Sequence, residues 1–472
     1  MPNLTKDNLI VWQEFRGLAD SQWSGVKGSF YKMVGLDVHS SPGSITVNQA
    51  LANDSSSTID ALCRVSIAAS DGSKLWFSYT SGKIWRESSG TYTLVYTTSP
   101  AAGTAGCKGA SEYNGYWYWA TQSRLHRTAI TDTTFASVDV NWQTFGQTDA
   151  DFHPMNEANG TLFMGDANVI ASVNSSATFT ASALDLVDPQ RVKCMAPFDI
   201  DIVVGTLVAT SVNECKIVRW DTVQTSPQFN EPVRENGINS FGWLGTTLLA
   251  NAGTSGNFYY YDGRFLQPYE RIPGTWSPTQ RAEVYPGSTA VLRGNLIFGL
   301  SNLAGNPADQ GVYTFGRYSH KYPWVLTGPD YIVSGGAVTA IEVGAIIVDG
   351  QDLYVARYDG TNYRIDQLDY STKYSSAYLE TLRIIPDPQN QTAAVQFWAN
   401  YQSLPASTDV TFGYKSNNDS SYTNLTTVND TNHIQLYAEE SVIGRVIQMR
   451  IQFTISSNSA PVLEQIGIAL AN

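Results

Sequence analysis

A segment that recurs after 41 positions most constrains how this chain can fold. Residues 75–86 read LWFSYTSGKIWR and residues 116–127 read YWYWATQSRLHR, so Arg86 and Arg127 end the matching copies. Each copy has an aromatic strand, a short polar turn and a second strand. An Asp-Gly or Asn-Gly pair, typical of tight turns, precedes each one. Self-similarity at roughly 40–45 residues, built from strands alone, is typical of a β-propeller.

Further strand pairs follow the first two copies. They begin near residues 161, 201, 247, 295 and 345 and match by pattern more than by residue identity, which predicts seven blades. Because each small sheet buries its faces against its neighbours, we expect ring closure to cover the core. An N-terminal strand, either residues 9–15 or residues 45–47, is expected to complete the last blade.

Periodicity divides the chain into three regions. Residues 1–61 read as lead-in strands and loops, residues 62–372 as the propeller and residues 377–472 as a further domain. In the last region, alternate residues from Ile447 to Phe453 are apolar, and those between are mainly Gln and Arg, which is typical of a half-buried antiparallel strand. Seven or eight such strands predict a β-sandwich. The predicted fold class is therefore all-β, a propeller of about seven blades followed by a β-sandwich.

The charge balance disfavours two classes of partner. The chain carries 29 Lys and Arg against 42 Asp and Glu, a net charge of −13, and has no run of five basic residues. This disfavours a nucleic-acid-binding face and attraction to anionic membranes, although DNA could pass an acidic channel wall without adhering. The N-terminus has no basic region followed by an apolar one, and no stretch approaches 18 apolar residues. We therefore expect neither a signal peptide nor a membrane span.

Cysteine and histidine spacing offers little for catalysis or metal binding. The cysteines show no CxxC spacing and are expected to be buried free thiols, with a disulfide or a metal role as the alternative. No two histidines lie within five residues, and HExxH, P-loop and GxSxG signatures are absent. The sequence therefore predicts no catalytic, cofactor-binding or metal-binding residues. The cysteines in question are Cys63, Cys107, Cys194 and Cys215, and the histidines are His39, His126, His153, His320 and His433.

Two carboxylate pairs are the remaining candidates for acid–base chemistry. Asp149 with Asp151, and Asp199 with Asp201, are two residues apart, so each pair could share one face of a strand. Such a pair could suit a metal ion or glycoside hydrolysis. The alternative is that these residues occupy turns at strand ends, where Asp is favoured.

The repeat also bears on arginine and aromatic candidates. A sialidase-type arginine cluster could draw on Arg64, Arg86, Arg124, Arg127 and Arg219, but Arg86 and Arg127 occupy matching repeat positions and are interpreted as structural. Trp117 and Trp119 share one strand face, and Trp117 matches Trp76, so packing between blades is expected. The alternative is an exposed platform on which sugar rings stack.

The arrangement resembles virion tail proteins of tailed bacteriophages, most closely the β-propeller tail nozzle (hub) proteins of short-tailed phages. The resemblance lies in the lead-in sequence GLDVHSSPG at residues 35–43, the strand pairs of the kind seen at 75–86, and the closing sequence SAPVLEQIGI at 459–468. It covers most of the chain at the level of architecture. No functional residue can be aligned, so none is carried over.

The resemblance implies a structural, non-enzymatic component of a virion tail, made in the host cytoplasm and needing no cofactor. It would be a ring-forming nozzle, hub or tail-tip protein lining the DNA exit channel. Its partners would be further copies of itself in a cyclic homo-oligomer and other tail or adaptor proteins. Two alternatives remain: a glycan- or receptor-binding propeller with aromatics exposed on one rim, and a polysaccharide hydrolase using the aspartate pairs.

Overall fold

The computed structural model is all-β where it describes the chain. Over these residues it contains forty strands and no helix, hence no helix long and apolar enough to cross a membrane. The described residues are 9–19, 21–23, 25, 27–41, 43–55, 59–98, 106–147, 150–208, 214–272, 282–301, 310–317, 321, 323–334, 341–385, 392–428, 435–438 and 442–471.

The N-terminal segment supplies strands to several different sheets. None of these strands is longer than five residues; two of them pair with each other, and the other three pair with strands from distant parts of the chain. The strands are β1 (Leu9–Trp12), β2 (Phe30–Val34), β3 (Leu36–Asp37), β4 (Thr46–Val47) and β5 (Gln49–Asn53).

Seven four-stranded antiparallel sheets, blades 1 to 7, occupy the middle of the chain. Blades 1 and 2 comprise β6 (Cys63–Ala68), β7 (Lys74–Ser78), β8 (Lys83–Ser88), β9 (Thr91–Thr97), β10 (Gly109–Tyr113), β11 (Tyr116–Ala120), β12 (Arg124–Ala129) and β13 (Asp139–Thr144). Blades 3 and 4 comprise β14 (Met155–Ala158), β15 (Thr161–Asp166), β16 (Val169–Asn174), β17 (Phe179–Asp185), β18 (Gln190–Phe198), β19 (Asp201–Val208), β20 (Cys215–Trp220) and β21 (Phe229–Val233). Blades 5 and 6 comprise β22 (Ile238–Leu244), β23 (Thr247–Ala252), β24 (Asn257–Tyr261), β25 (Leu266–Arg271), β26 (Thr289–Leu292), β27 (Asn295–Leu300), β28 (Gly311–Gly316) and β29 (Val325–Tyr331). Blade 7 contains β30 (Glu342–Asp349), β31 (Asp352–Tyr358) and β32 (Tyr363–Lys373).

The blades close into a ring. In blades 1 to 6 the four strands follow one another in chain order, as in a meander, and in blade 7 β30, β31 and β32 do so. The first strand of each blade contacts the first strand of the next, and β30 of blade 7 contacts β6 of blade 1. These first strands are therefore the inner strands of a seven-bladed β-propeller.

Blade 7 is completed by the N-terminal segment, but through a strand that the sequence did not indicate. β5 pairs with β32, with Leu51 opposite Leu368 and Asn53 opposite Asp366. Neither predicted closing strand takes this place, because β1 pairs with β40 (Leu463–Ala471) and β4 pairs with β3. Residues 49–53 therefore belong to the propeller rather than to a separate lead-in.

Truncating Leu51 tests this closure. Leu51 is 5% exposed and packs in the hydrophobic cluster of blades 6 and 7. We expect Leu51→Ala to lower the free energy of unfolding by about 2–3 kcal/mol, since it leaves a cavity in the closing blade. Urea denaturation measures this, and exposed Ala52 provides a control, with Ala52→Ser changing stability by about 0.5 kcal/mol or less. Equal stability of Leu51→Ala and the wild type would contradict the packing of β5.

The ends of the chain together form two further five-stranded sheets. The first terminal sheet has the order β1-β40-β34-β37, with β38 also paired to β34, and the second has the order β2-β33-β39-β35-β36. The remaining strands are β33 (Tyr378–Thr381), β34 (Thr392–Tyr401), β35 (Asp409–Ser416), β36 (Thr423–Val428), β37 (Gln435–Ala438), β38 (Val442–Gly444) and β39 (Ile447–Thr454).

The alternation predicted for β39 is confirmed. Ile447, Met449, Ile451 and Phe453 are all buried. They belong to one hydrophobic cluster that also includes buried side chains of the first terminal sheet, such as Phe397. The apolar faces of both terminal sheets therefore share a core.

The terminal sheets are attached to the propeller through blade 6. The Leu18 backbone N–H donates to the Leu326 carbonyl at 2.8 Å, and the Gly35 N–H donates to the Pro329 carbonyl at 2.8 Å. Gly17 has φ +73°, and a Cβ there would lie 2.2 Å from the Leu326 carbonyl oxygen, so only glycine fits this approach. The lead-in therefore lies directly against β29.

Candidate functional site: the mouth of the propeller channel

A cavity of about 280 Å³ lies where the inner strands converge. Residues from six of the seven blades, or from the loops that lead into them, line it, so it lies on the ring axis. The inner strands begin near this end of the axis, and we call the cavity the channel mouth. Three basic side chains and two aromatic rings line it: Arg64, Lys108, Lys193, Tyr79 and Phe152. Tyr285 contacts Arg64 beside it.

Irregular strand pairing places polar side chains at the channel mouth. The pairing of the inner strand with the second strand skips one residue at Arg64 in blade 1, at Lys193 in blade 4 and at Asn239 in blade 5. Bulges of this kind redirect a side chain that would otherwise follow the alternation of the strand. In blade 2 the equivalent position is Lys108, directly before β10.

Arg64 connects blade 1 to blades 6 and 7. Its Nη2 donates to the Tyr285 hydroxyl at 2.9 Å and to Glu342 Oε2 at 3.1 Å. Its guanidinium lies between two rings, 4.4 Å from the centroid of Tyr79 and 3.9 Å from that of Tyr285. Its Nε is buried and has no hydrogen-bond partner among the described residues. One donor of Arg64 therefore remains free.

Lys193 is held on the opposite side of the ring. Its Nζ donates to Asn239 Oδ1 at 2.9 Å and to Glu283 Oε1 at 2.8 Å, and it lies 5.4 Å from the Phe152 centroid. Its side chain is 7% exposed, so the charge is buried but paired. Lys193 thus joins blade 4 to blade 5 and to the segment before blade 6.

Lys108 differs from the other two cations. Its Nζ lies 3.7 Å from the Tyr79 centroid, and no carboxylate of the described residues is within ion-pairing distance. Burial holds the pKa of Lys108 below its ordinary value; Asp151 opposes this shift and Arg64 adds to it. The backbone is fixed on both sides, because the Lys108 N–H donates to the Ala120 carbonyl and its own carbonyl accepts from His153.

The carboxylate pairs do not converge on this cavity as a catalytic pair. Asp199 has φ +54° in the turn between β18 and β19, which confirms the interpretation as a turn residue. Asp201 begins β19 and accepts from Arg219 Nε at 2.6 Å. Asp151 is exposed and lies beside the channel mouth, where its backbone carbonyl accepts from the Tyr79 hydroxyl. Asp149 lies outside the described residues.

The repeat-related arginines and tryptophans have structural contacts. Arg86 Nη2 lies 2.6 Å from Asp71 Oδ2, and Arg127 Nε lies 3.3 Å from Asp139 Oδ2. Trp117 and Trp119 are fully buried in a cluster that includes side chains of blades 1 and 2, as predicted. The densest aromatic segment therefore does not offer these two indoles as a platform for sugars.

The cysteines are buried free thiols, as predicted. Burial raises the pKa of Cys63, Cys107 and Cys215 to about 12, so these thiols stay protonated at neutral pH. His126 and His153 are buried and His39 is partly buried. Burial lowers the pKa of each to about 4. His320 and His433 lie outside the described residues.

No local motif in the sequence marks the channel mouth. Arg64 was considered only for an arginine cluster, and Lys108 and Lys193 were not considered at all. One signal was available: Cys63-Arg64 and Cys107-Lys108 are matching cysteine–base pairs at about one blade spacing. The convergence of these residues depends on ring closure, which no local pattern encodes.

No protein-family model matches the chain, and no curated protein matches it. Among solved structures, it is similar to the extracellular domain of the hybrid two-component system BT4673 from B. thetaiotaomicron, with 14% identity, a TM-score of 0.48 and coverage of 76% of this chain. The chain spans only 43% of the length of that protein. A catalytically inactive virginiamycin B lyase from Staphylococcus aureus shows 11% identity and a TM-score of 0.48, covering 68% of this chain and 99% of the lyase. The N-terminal domain of Nup159 shows 11% identity and a TM-score of 0.41, covering 75% of this chain and 100% of that domain.

Proposed function

We propose that the protein is a structural subunit of a phage tail, forming a nozzle, hub or tail-tip ring around the DNA exit channel. Its partners are further copies of itself and other tail or adaptor proteins, and its place is the virion tail after synthesis in the host cytoplasm. Its role is to build and hold a channel rather than to catalyse a reaction. The resemblance in the lead-in, the strand pairs and the closing segment supports this proposal.

The observation that carries the proposal is the way the N-terminal segment joins the two parts of the chain. β1 and β2 enter the terminal sheets, whereas β5, which begins 15 positions after β2 ends, closes blade 7 of the propeller. Domains linked in one chain usually move against each other unless their interface is large and apolar. Here two features oppose such motion. The N-terminal segment gives strands to both parts, and one hydrophobic cluster spans blades 5 and 6 and both terminal sheets. A rigid subunit of this kind suits a particle that transmits force.

The same proposal includes the finer architecture of the chain ends. We assign the two terminal sheets to a β-sandwich, with β1 and β2 contributed by the lead-in. Each sheet has five antiparallel strands, and side chains from both share one core. A sandwich fused to the propeller gives the subunit two separate surfaces for contacts with neighbouring proteins.

Exposed apolar side chains at one end of blades 4 and 5 supply a candidate contact between copies. Ile200, Val223 and Phe265 are 71%, 82% and 65% exposed, and all lie in turns at the same end of these meanders. Asn159 Nδ2 donates to the Ile200 carbonyl and to the Thr222 hydroxyl, which holds two of these turns together. Large apolar side chains exposed together at one end of a fold are typical of protein–protein contacts.

Mass photometry tests the proposal. We expect the wild type to show multiples of the 51.6 kDa subunit mass, and we expect Val223→Asp combined with Phe265→Asp to shift particles towards monomer. Val187, 79% exposed in the connection between blades 3 and 4, provides a control, because Val187→Asp should leave assembly unchanged. A wild type with only the single-subunit mass at every concentration would contradict ring formation.

A further inference from the structure

Two cations at the channel mouth share one aromatic ring. Lys108 Nζ lies 3.7 Å from the Tyr79 centroid, and the Arg64 guanidinium lies 4.4 Å from the same centroid. Two like charges beside one ring repel each other, more strongly when partly withdrawn from water. Burial and Arg64 both lower the pKa of Lys108, as expected where a neighbouring positive charge makes the protonated amine less stable.

The carboxylates around the channel mouth leave part of this positive charge uncompensated. Glu342 accepts from Arg64 Nη2, and Glu283 accepts from Lys193. Asp151 acts on Lys108 electrostatically from an exposed position beyond ion-pairing distance. Lys108 Nζ and the buried Arg64 Nε are therefore donors without an acceptor among the described residues.

The setting of these donors is fixed before any ligand arrives. The Lys108 backbone is hydrogen-bonded to blades 2 and 3, and Tyr79 is held by its hydroxyl against the Asp151 carbonyl. A Cβ at Gly109 would lie 1.6 Å from the His153 carbonyl oxygen, so the backbone next to Lys108 cannot shift freely. Donors that are already in place lose little freedom when an anion binds.

We propose that the channel mouth binds a small ligand bearing an oxyanion, either phosphoryl or carboxylate, through Lys108 Nζ beside the positively charged Arg64. The anion offsets the two positive charges and gives Lys108 Nζ an acceptor, and charge-assisted hydrogen bonds of this type are among the stronger ones in proteins. The cavity volume of about 280 Å³ limits the ligand to a small molecule, with the Phe152 ring as an apolar wall. The site does not depend on assembly into a ring.

Isothermal titration calorimetry of the full-length protein tests the site, with inorganic phosphate and acetate titrated separately at constant ionic strength. We expect saturable binding of at least one anion, and the preferred anion distinguishes a phosphoryl from a carboxylate group. Lys108→Met is expected to weaken binding by about ten- to hundredfold, since it removes one charge-assisted contact. Lys108→Arg should retain binding, because it keeps the charge.

A matched control comes from the second terminal sheet. Lys415 Nζ lies 4.3 Å from the Tyr422 centroid, a similar cation–aromatic contact far along the chain from the channel mouth. Lys415→Met should bind the anion as the wild type does, and thermal melting of each variant checks that the fold is retained. Absence of saturable binding to the wild type, or equal affinity of Lys108→Met and the wild type, would overturn the proposal. Neither result bears on ring formation, which mass photometry reports separately.

Discussion

Replacing Arg357 with methionine is expected to lower the free energy of unfolding by about 3–5 kcal/mol, because the substitution breaks a buried ion network. Arg357 Nε donates to both oxygens of Asp366 at 3.1 Å, Nη1 donates to Asp359, and Nη2 donates to Ser334 at 2.9 Å. The Arg357 and Asp366 side chains are 2% and 0% exposed. Without the guanidinium, Asp366 remains buried with an uncompensated charge.

This network lies in the blade that closes the ring. Asp366 is in β32, opposite Asn53 of β5. Loss of the ion network therefore weakens the contact between the N-terminal strand and the propeller. Because the network holds the closing strand, we expect the effect to appear as reduced cooperativity as well as reduced stability. Urea denaturation followed by tryptophan fluorescence measures both quantities.

The neighbouring strand provides a matched control for Arg357. Arg364 lies directly opposite Arg357 in the ladder between β31 and β32 but forms no ion pair with a described residue. Arg364→Met should therefore change stability by about 0.5 kcal/mol or less. Adding Asp366→Asn to Arg357→Met should restore part of the lost unfolding free energy, since it removes the unpaired carboxylate charge. A loss below about 1 kcal/mol for Arg357→Met would contradict the assigned role of the network.

Stability is expected to decrease as the pH falls from about 6.5 to 4, because three histidines resist protonation in the folded state. Burial lowers the pKa of His39, His126 and His153 to about 4, whereas an unfolded histidine titrates near 6.5. Between these values the unfolded chain binds protons that the folded chain does not, which favours unfolding. Each histidine contributes about 1.4 kcal/mol per pH unit within that window.

His126 isolates one of these contributions. Its Nδ1 accepts from the Asn141 N–H at 3.1 Å, so protonation at this nitrogen would break the bond, and its ring stacks on Trp119. His126→Phe keeps the stacking but cannot titrate. The difference in unfolding free energy between wild type and variant should change with pH by about 1.4 kcal/mol per unit between pH 4 and 6.5.

A second titrating group works in the opposite direction. Burial raises the pKa of Asp330 to about 8, so the folded chain holds a proton that the unfolded chain releases above its ordinary carboxyl pKa. Its contribution to stability is present at low pH and is lost as the pH rises through about 8. Asp330 is present in both the wild type and His126→Phe, so its contribution to the unfolding free energy cancels in the difference between them. A pH-independent difference between the two proteins would show that His126 titrates normally.

The propeller could be predicted from the sequence because its blades repeat locally. The strand–turn–strand units at residues 75–86 and 116–127 specify hairpins by turn residues and alternation, and both occur as β7–β8 and β11–β12. The closing strand could not be predicted in the same way. β5 reads QALAN, has no aromatic or β-branched residue, and pairs with residues more than three hundred positions away. Its place is decided by tertiary contacts.

The channel mouth could not be predicted from the sequence for a related reason. Arg64, Lys108 and Lys193 lie on three blades and meet only where the inner strands converge. Arg64 and Lys193 are also displaced from strand alternation by irregular pairing, which the hydrophobic pattern does not reveal. By contrast, buried thiols and the turn position of Asp199 followed from residue preferences alone.

Negative-stain electron microscopy of the purified protein shows directly whether the chain forms the proposed ring around a DNA exit channel. Class averages are predicted to show closed rings of several subunits with an open centre, each subunit containing a propeller and an attached smaller domain. Class averages showing only isolated single subunits, at concentrations where assembly should be complete, would contradict the structural role in a tail.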